Sequence, residues 1–139
     1  MQRSKGFTAT DLAIIVTVLA MAAALAVPRY MSLNADHRSR AVDSLAASAD
    51  SFVRLSNKLW RTSGFPDAIT VDGNFIEIVY GYPSTDAIEE MVVLNEQFAY
   101  ANGVWTHRDR RGDPGCSVIY TPPVREGGEA RIARYTSGC

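Results

Sequence analysis

The pattern of hydrophobic and polar positions divides the chain into segments of different period. Residues Phe7 to Val27 are almost wholly apolar, a length close to the roughly 20 residues that a helix needs to span a bilayer. After Pro28, apolar residues recur at intervals of three and four, which predicts an amphipathic helix. The stripe consists of Val42, Leu45, Ala49, Phe52, Ser56 and Leu59, widened by Val53, Leu55 and Trp60. The helix is expected to end near Ser63 to Pro66, since Gly64 suits a helix C-terminus and Pro66 cannot continue it.

Beyond Pro66 the pattern changes to short runs that favour strands, separated by turn dipeptides. The predicted strands are Asn74–Tyr80, Gln97–Tyr100, Val104–His107, Cys116–Tyr120 and Ala130–Tyr135. Asp72-Gly73 is a turn, Asn102-Gly103 favours a tight hairpin, and Gly81–Ser84 is a predicted loop. Asp86–Leu94 is either a short helix or a turn that enters a strand at Met91–Leu94. These elements predict an α+β fold, in which a long N-terminal helix packs on a small antiparallel sheet.

Composition and charge narrow the classes of function. The chain has 139 residues and a formal net charge of −1, which suggests one domain without the clustered basic face of a nucleic-acid-binding protein. His37 and His107 have no metal-ligand spacing, so we expect no metal. The sequence contains no nucleophile motif, no phosphate loop and no convincing catalytic constellation. The sequence therefore predicts a protein that is not an enzyme, has no cofactor and binds no nucleic acid.

The N-terminal segment has the features of an export signal. Arg3 and Lys5 precede the apolar run, and the positive-inside rule then keeps the N-terminus in the cytoplasm. An ordinary secretory signal peptide is one alternative, because Ala20-Met21-Ala22 and Ala24-Leu25-Ala26 both fit its cleavage pattern. Against this alternative, Asp11 is a poor residue near the start of an apolar signal region, and the apolar run leads straight into an amphipathic helix.

The residues Lys5-Gly6-Phe7-Thr8, a basic residue and a glycine before an apolar run that opens with phenylalanine, resemble the signal of type IV prepilins and pseudopilins. The resemblance implies that a membrane peptidase cuts between Gly6 and Phe7 and N-methylates the new terminal Phe7. Glycine suits such a cut because an extended backbone without a side chain enters a narrow protease cleft. The implied segments are a leader at 1–6, a membrane and filament-core helix at 7–28, an amphipathic helix at 29–63 and a β-sheet head at 64–139.

Longer segments are similar to pilins of the mannose-sensitive haemagglutinin (MSHA) type. They are Val27–Arg38, Val71–Gly73, Val79–Pro83 and Cys116–Thr121. The resemblance implies a structural subunit of a type IV pilus, a homo-oligomeric helical filament that serves adhesion, surface attachment or motility. It also implies a precursor in the bacterial inner membrane with its head in the periplasm, followed by an extracellular pilus. Expected partners are the prepilin peptidase, an inner-membrane assembly platform and a motor ATPase.

Two positions in the apolar helix acquire roles from the resemblance. Asp11 is the fifth residue after the implied cut, where related pilins usually carry glutamate. Its carboxylate would pair with the terminal amine of Phe7 on a neighbouring subunit and set the subunit register, since charges in an apolar filament core need partners. This chain departs from the pattern of the family here, because the side chain of aspartate is one methylene shorter than that of glutamate. Pro28 stands where the family commonly has a proline at which the helix kinks.

The cysteines of the chain are Cys116 and Cys139. In an exported protein a disulfide between them is the leading interpretation, and pilins often tie their C-terminal region to the head in this way. The enclosed loop would stabilise a small head by about 3 kcal/mol in the chain-entropy model.

Two other functions stay open. Within the same superfamily, the chain is alternatively a minor pilin or a pseudopilin of type II secretion, an option that the aspartate at position 11 favours. From a different class, it is a secreted or membrane-anchored binding module that forms no polymer.

Overall fold

A computed structural model describes residues 8–92, 96–110 and 112–139 of the chain. The chain divides into two compact units, Met1–Asp36 and His37–Cys139. Helix α1 spans Ala9–Thr62 and contributes to both units. A small antiparallel region follows α1, so the predicted α+β layout is confirmed.

The end of α1 is a Schellman motif, as the glycine at position 64 predicts. Gly64 has a φ of 83°, which lets the backbone turn back at no steric cost. The amide of Phe65 then donates a hydrogen bond of 3.1 Å to the carbonyl oxygen of Trp60. The rings of the same two residues pack edge to face at 4.8 Å, which is the hydrophobic contact that commonly accompanies this motif.

Within the described residues, the strands of the second unit form two antiparallel sheets instead of the single sheet that we predicted. The first sheet has the order β1-β2-β3 and the second has the order β4-β5-β6-β7. The first sheet consists of β1 (Ala68–Val71), β2 (Asn74–Val79) and β3 (Tyr82–Pro83). The second sheet consists of β4 (Phe98–Ala101), β5 (Val104–His107), β6 (Ser117–Thr121) and β7 (Arg131–Tyr135).

Helix α2 (Thr85–Met91) lies between the two sheets in sequence, so the helical alternative for Asp86–Leu94 is correct as far as Met91. Ser84 caps α2, because its hydroxyl accepts a hydrogen bond from the amide of Ala87 at 3.2 Å. Val92 is the C-cap of α2 and has an extended backbone, so the helix ends there, and positions 93 and 94 lie outside the described residues. A 3₁₀ turn at Arg108–Arg110 follows β5.

Two hydrophobic clusters form the core of the second unit. One combines Val42, Ala49 and Val53 of α1 with Ile88 of α2 and with Trp105 on β5. The other places Ile69, Ile76 and Ile78 of the first sheet against Ala87, with Phe52, Leu59 and Trp60 of α1 beside them. The predicted stripe on α1 therefore faces the core: Val42, Leu45, Ala49, Val53 and Ser56 are buried, and Phe52, Leu59 and Trp60 are half-buried. Leu55 is the exception, at 47% exposed. Ser56, the polar member, is fully buried and donates its hydroxyl hydrogen to the carbonyl oxygen of Phe52 at 2.8 Å.

Two strands differ from the sequence prediction. Tyr82–Pro83 was predicted as loop, yet it forms β3 and pairs with Val79 and Ile78 of β2. Proline is compatible with a strand at the edge of a sheet, where its missing N–H is not needed. Ala68–Val71 had no predicted element and forms β1, whose register places Val71 opposite Asn74 across the Asp72-Gly73 turn.

Candidate functional site

The candidate site at the start of α1 is organised by Thr8 and Asp11. The hydroxyl of Thr8 donates a hydrogen bond of 2.7 Å to Oδ2 of Asp11, and the Thr8 amide donates to the same oxygen at 3.1 Å. In return, the amide of Asp11 donates to the Thr8 hydroxyl oxygen at 3.2 Å. This reciprocal arrangement is a capping box, with Thr8 as the N-cap and Asp11 three residues later. Asp11 therefore satisfies backbone groups at the helix start, a role that our sequence analysis missed.

The helix that follows presents a continuous apolar surface. Leu12, Val18, Leu19 and Met21 are each about 60% exposed, and other aliphatic side chains between them are similarly open. Thr17, a polar residue of this segment, donates its hydroxyl hydrogen to the carbonyl oxygen of Ala13 at 2.7 Å, so its hydrogen bond does not require water. Within the described residues, α1 is long and apolar enough to cross a membrane.

The other predicted sites of the N-terminal segment have different outcomes. The cleavage and methylation sites at Gly6 and Phe7 lie outside the described residues, as does the rest of the leader. The backbone at Pro28 is helical and α1 continues past it. The kink that we expect at Pro28 stays a prediction.

The predicted disulfide is present. The sulfur atoms of Cys116 and Cys139 are 2.13 Å apart and join positions separated by 23 residues. Cys116 is fully buried and Cys139 is 6% exposed, so the bridge belongs to the larger hydrophobic cluster. The amide of Gly138 donates a hydrogen bond of 2.9 Å to the carbonyl oxygen of Gly115, which holds the backbones of both cysteines together.

Arginine side chains bind the backbone at the bridge. Nε of Arg38 on α1 donates to the carbonyl oxygen of Cys139 at 2.5 Å, and Nε of Arg110 approaches the same oxygen at 3.4 Å. The amphipathic part of α1 is thus tied to the disulfide segment by a charge-assisted hydrogen bond. This role of Arg38 is not visible in the sequence, because its partner is a backbone group 101 residues away.

His107 is a buried titratable residue near this region, with 5% of its surface exposed. Burial lowers the pKa of His107; the carboxylate of Asp109 opposes this shift, and the positive charge of Arg38 adds to it. The Asp109 amide donates to Nδ1 of His107 at 3.3 Å, so the neutral imidazole is the form that fits. In the described part of the chain no cluster of three or more His, Cys, Asp or Glu residues is placed to hold a metal ion.

Comparisons with known proteins find no match, whether among protein-family models, curated proteins or solved structures.

Proposed function

We propose that the chain is a structural subunit of a type IV pilus filament, made as a membrane-inserted precursor. The single observation that supports this best is the change of surface along α1. Between Leu12 and Leu33, the apolar side chains whose burial the structure describes are exposed, whereas the segment from Val42 to Ser56 includes a buried stripe. A helix with both properties suits a subunit that packs a head on one part and leaves the other part for lipid or protein.

An exposed apolar surface of this extent needs a partner in every environment. In the membrane the partner is lipid, and in the filament it is the corresponding surface of neighbouring subunits. The proposed sequence of events is insertion with the N-terminus in the cytoplasm, cleavage after Gly6, methylation of Phe7 and then extraction into the filament. The partners proposed for these steps are the prepilin peptidase, the assembly platform and the motor ATPase. In this proposal the chain itself is not an enzyme.

The proposed register in the filament depends on Asp11 and the amine of Phe7. Oδ2 of Asp11 accepts the hydrogen bonds of Thr8, whereas Oδ1 carries no hydrogen bond within residues 8–92, 96–110 and 112–139. In this proposal Oδ1 accepts a hydrogen bond from the amine of a neighbouring subunit. A paired amine and carboxylate tolerate an apolar interior, and either group alone is costly there.

The decisive experiment is mass spectrometry of the mature N-terminus in protein isolated from its native host. The proposal requires a chain that begins with N-methylated Phe7. A mature chain that begins at Ala23 or Val27 would contradict it, because a secretory signal peptidase would then have removed the apolar segment. Gly6→Leu is a suitable control, since it should leave the precursor uncut while the head retains its disulfide.

A minor pilin or a type II secretion pseudopilin is the second candidate, and the aspartate at position 11 favours it. Quantifying the chain in fibres sheared from the cell surface separates the two. A major pilin should be the most abundant protein of the sheared fraction, whereas a pseudopilin should stay with the cells. A chain with a methylated Phe7 that is absent from sheared fibres would overturn the major-pilin proposal and retain the pseudopilin.

A further inference from the structure

A groove of about 370 Å³ lies in the second unit, between the end of α1, the β2–β3 turn and residues 126–129. Aromatic side chains line it, contributed by Trp60, Phe65, Tyr80 and Tyr82. Its volume is within the range of small-molecule sites in proteins. Nothing in the proposed filament function requires this groove.

The β2–β3 turn has an unusual residue for its backbone. In the described chain, two-residue turns with positive φ at both positions join β1 to β2, β2 to β3 and β4 to β5. Such turns are of type I′, which favours Asn-Gly and Asp-Gly. Asp72-Gly73 and Asn102-Gly103 follow this preference, but the β2–β3 turn carries Tyr80-Gly81, with a φ of 50° at Tyr80.

A bulky side chain at positive φ is strained, and strained residues concentrate at ligand sites. Tyr80 gains little from packing, because it is 48% exposed. Phe65 also has positive φ, at 63°, but its contact with Trp60 at the helix end accounts for it. Nδ2 of Asn57 donates a hydrogen bond of 2.7 Å to the carbonyl oxygen of Gly81 and so holds this turn. Tyr80 itself has no ring contact of the Phe65 kind within the described residues, and it lines the groove.

The charges around the groove indicate the ligand. Three carboxylates line it, from Asp67, Glu126 and Glu129, against one guanidinium, from Arg61. None of these four side chains forms an ion pair with another residue that the structure describes. An excess of unpaired negative charge beside aromatic faces suits an organic cation, because the negative face of an aromatic ring attracts cations as the carboxylates do.

We propose that this groove binds a small quaternary ammonium compound of the choline type. Trp60 provides a fixed wall, since it contacts both the Phe65 ring and the backbone of Gly81. Tyr80 and Tyr82 provide further rings, and the carboxylates of Glu126 and Glu129 stabilise the positive charge. Phosphate-bearing head groups are disfavoured, because the phosphate would meet the same carboxylates.

The test is a titration of the full chain, in a non-ionic detergent, with choline and with its uncharged isostere 3,3-dimethylbutan-1-ol. The indole N–H signal of Trp60 in NMR spectra reports on the groove, and that of the buried Trp105 is the internal reference. We expect choline to give a saturable shift of this signal. The isostere should bind more weakly by about tenfold or more, since it lacks the cation–π attraction. Phosphocholine should also bind more weakly than choline.

Matched variants assign the site. Tyr80→Asn should weaken choline binding about tenfold or more while Tm stays the same or rises, because asparagine suits the type I′ turn. Asp72→Asn, the equivalent change in the β1–β2 turn, should leave choline binding unchanged. The exposed pair Glu126→Gln and Glu129→Gln should weaken binding without affecting Tm.

Three results would overturn the proposal. One is equal binding of choline and its isostere, and another is unchanged choline binding in Tyr80→Asn. The third is tighter binding of phosphocholine, or of a neutral methyl glucoside, than of choline. None of these results bears on cleavage after Gly6 or on filament assembly, so this proposal and the proposed function fail separately.

Discussion

The hydroxyl of Tyr120 on β6 donates a hydrogen bond of 2.7 Å to the carbonyl oxygen of Pro83 on β3, and so joins the two sheets. Tyr120 is 2% exposed, which shields the bond from water. We expect Tyr120→Phe to lower the free energy of unfolding by about 1–3 kcal/mol, because a buried acceptor loses its donor. Urea unfolding followed by circular dichroism measures this loss. Tyr135→Phe is the control, since Tyr135 is 47% exposed and should change stability little.

Gly81 lies against Trp60 so closely that a Cβ atom at position 81 would be 2.7 Å from the Trp60 ring. Gly73 has a similar φ, 84° against 89°, but a Cβ there would meet nothing within 4 Å. Gly73→Ala therefore measures the cost of the left-handed backbone alone, about 1–2 kcal/mol. Gly81→Ala should lose about 1–3 kcal/mol more, because the ring must move. Equal losses in the two variants, measured by thermal unfolding, would show that Trp60 yields without cost.

The sequence predicted the elements whose ends carry strong local signals. Gly64 and Pro66 predicted the end of α1, and Asn102-Gly103 predicted the β4–β5 hairpin. These predictions were correct because the backbone preferences of the residues at these positions outweigh packing. Tyr80-Gly81 was not recognised as a turn, since tyrosine is atypical at its first position. The division into two sheets also escaped prediction, because alternation identifies strands but not which strands pair.

The candidate site was predictable where a motif is local. Thr8 and Asp11 have the spacing of a capping box before an apolar run. The capping role of Asp11 was therefore predictable from the sequence, beside the charge role that the resemblance implies. The pairing of Cys116 with Cys139 was predictable, because cysteines of exported proteins commonly form disulfides and these are the two cysteines of the chain. Arg38 could not be found, because a side chain that binds a distant backbone carbonyl leaves no pattern in the sequence.

The disulfide should supply a large part of the stability of the second unit. Cys116→Ala with Cys139→Ala removes a bridge across 23 positions, and we expect a loss of about 3 kcal/mol from the free energy of unfolding. Either single substitution breaks the same bridge, so each should cost nearly as much as both together. Chemical unfolding with and without a phosphine reductant checks this. An unchanged midpoint after reduction would contradict the prediction.

His107 should make the second unit sensitive to acid. Its pKa is lowered in the fold, chiefly by burial, so the unfolded chain binds a proton more readily. The stability is present above the ordinary pKa of about 6.5 and is lost as the pH falls through the lowered value. The loss should reach up to about 1.4 kcal/mol per pH unit in that window. We expect Tm to fall as the pH drops below about 6.5, before most carboxylates titrate.

His107→Asn should flatten this decline, because asparagine retains an acceptor for the Asp109 amide without titrating. His37→Asn is the matched control, since His37 is exposed and its loss should leave the acid sensitivity intact. A decline that persists in His107→Asn would assign the effect to the carboxylates instead.

Asp11 has two roles that variants can separate. The capping box uses its hydrogen bonds with Thr8, whereas the proposed subunit register uses its negative charge. Asp11→Asn removes the charge and keeps an oxygen that accepts hydrogen bonds. Because the buried amine of Phe7 would then lose its charged partner, we expect the yield of sheared filaments to fall by about tenfold or more. Asp11→Glu keeps the charge with a longer reach and should retain assembly.

Thr8→Ala disrupts the capping box, keeps the charge and should leave most of the filament yield. Equal losses in Thr8→Ala and Asp11→Asn, with Phe7 methylated in both, would assign Asp11 to the helix start alone and remove it from the subunit register.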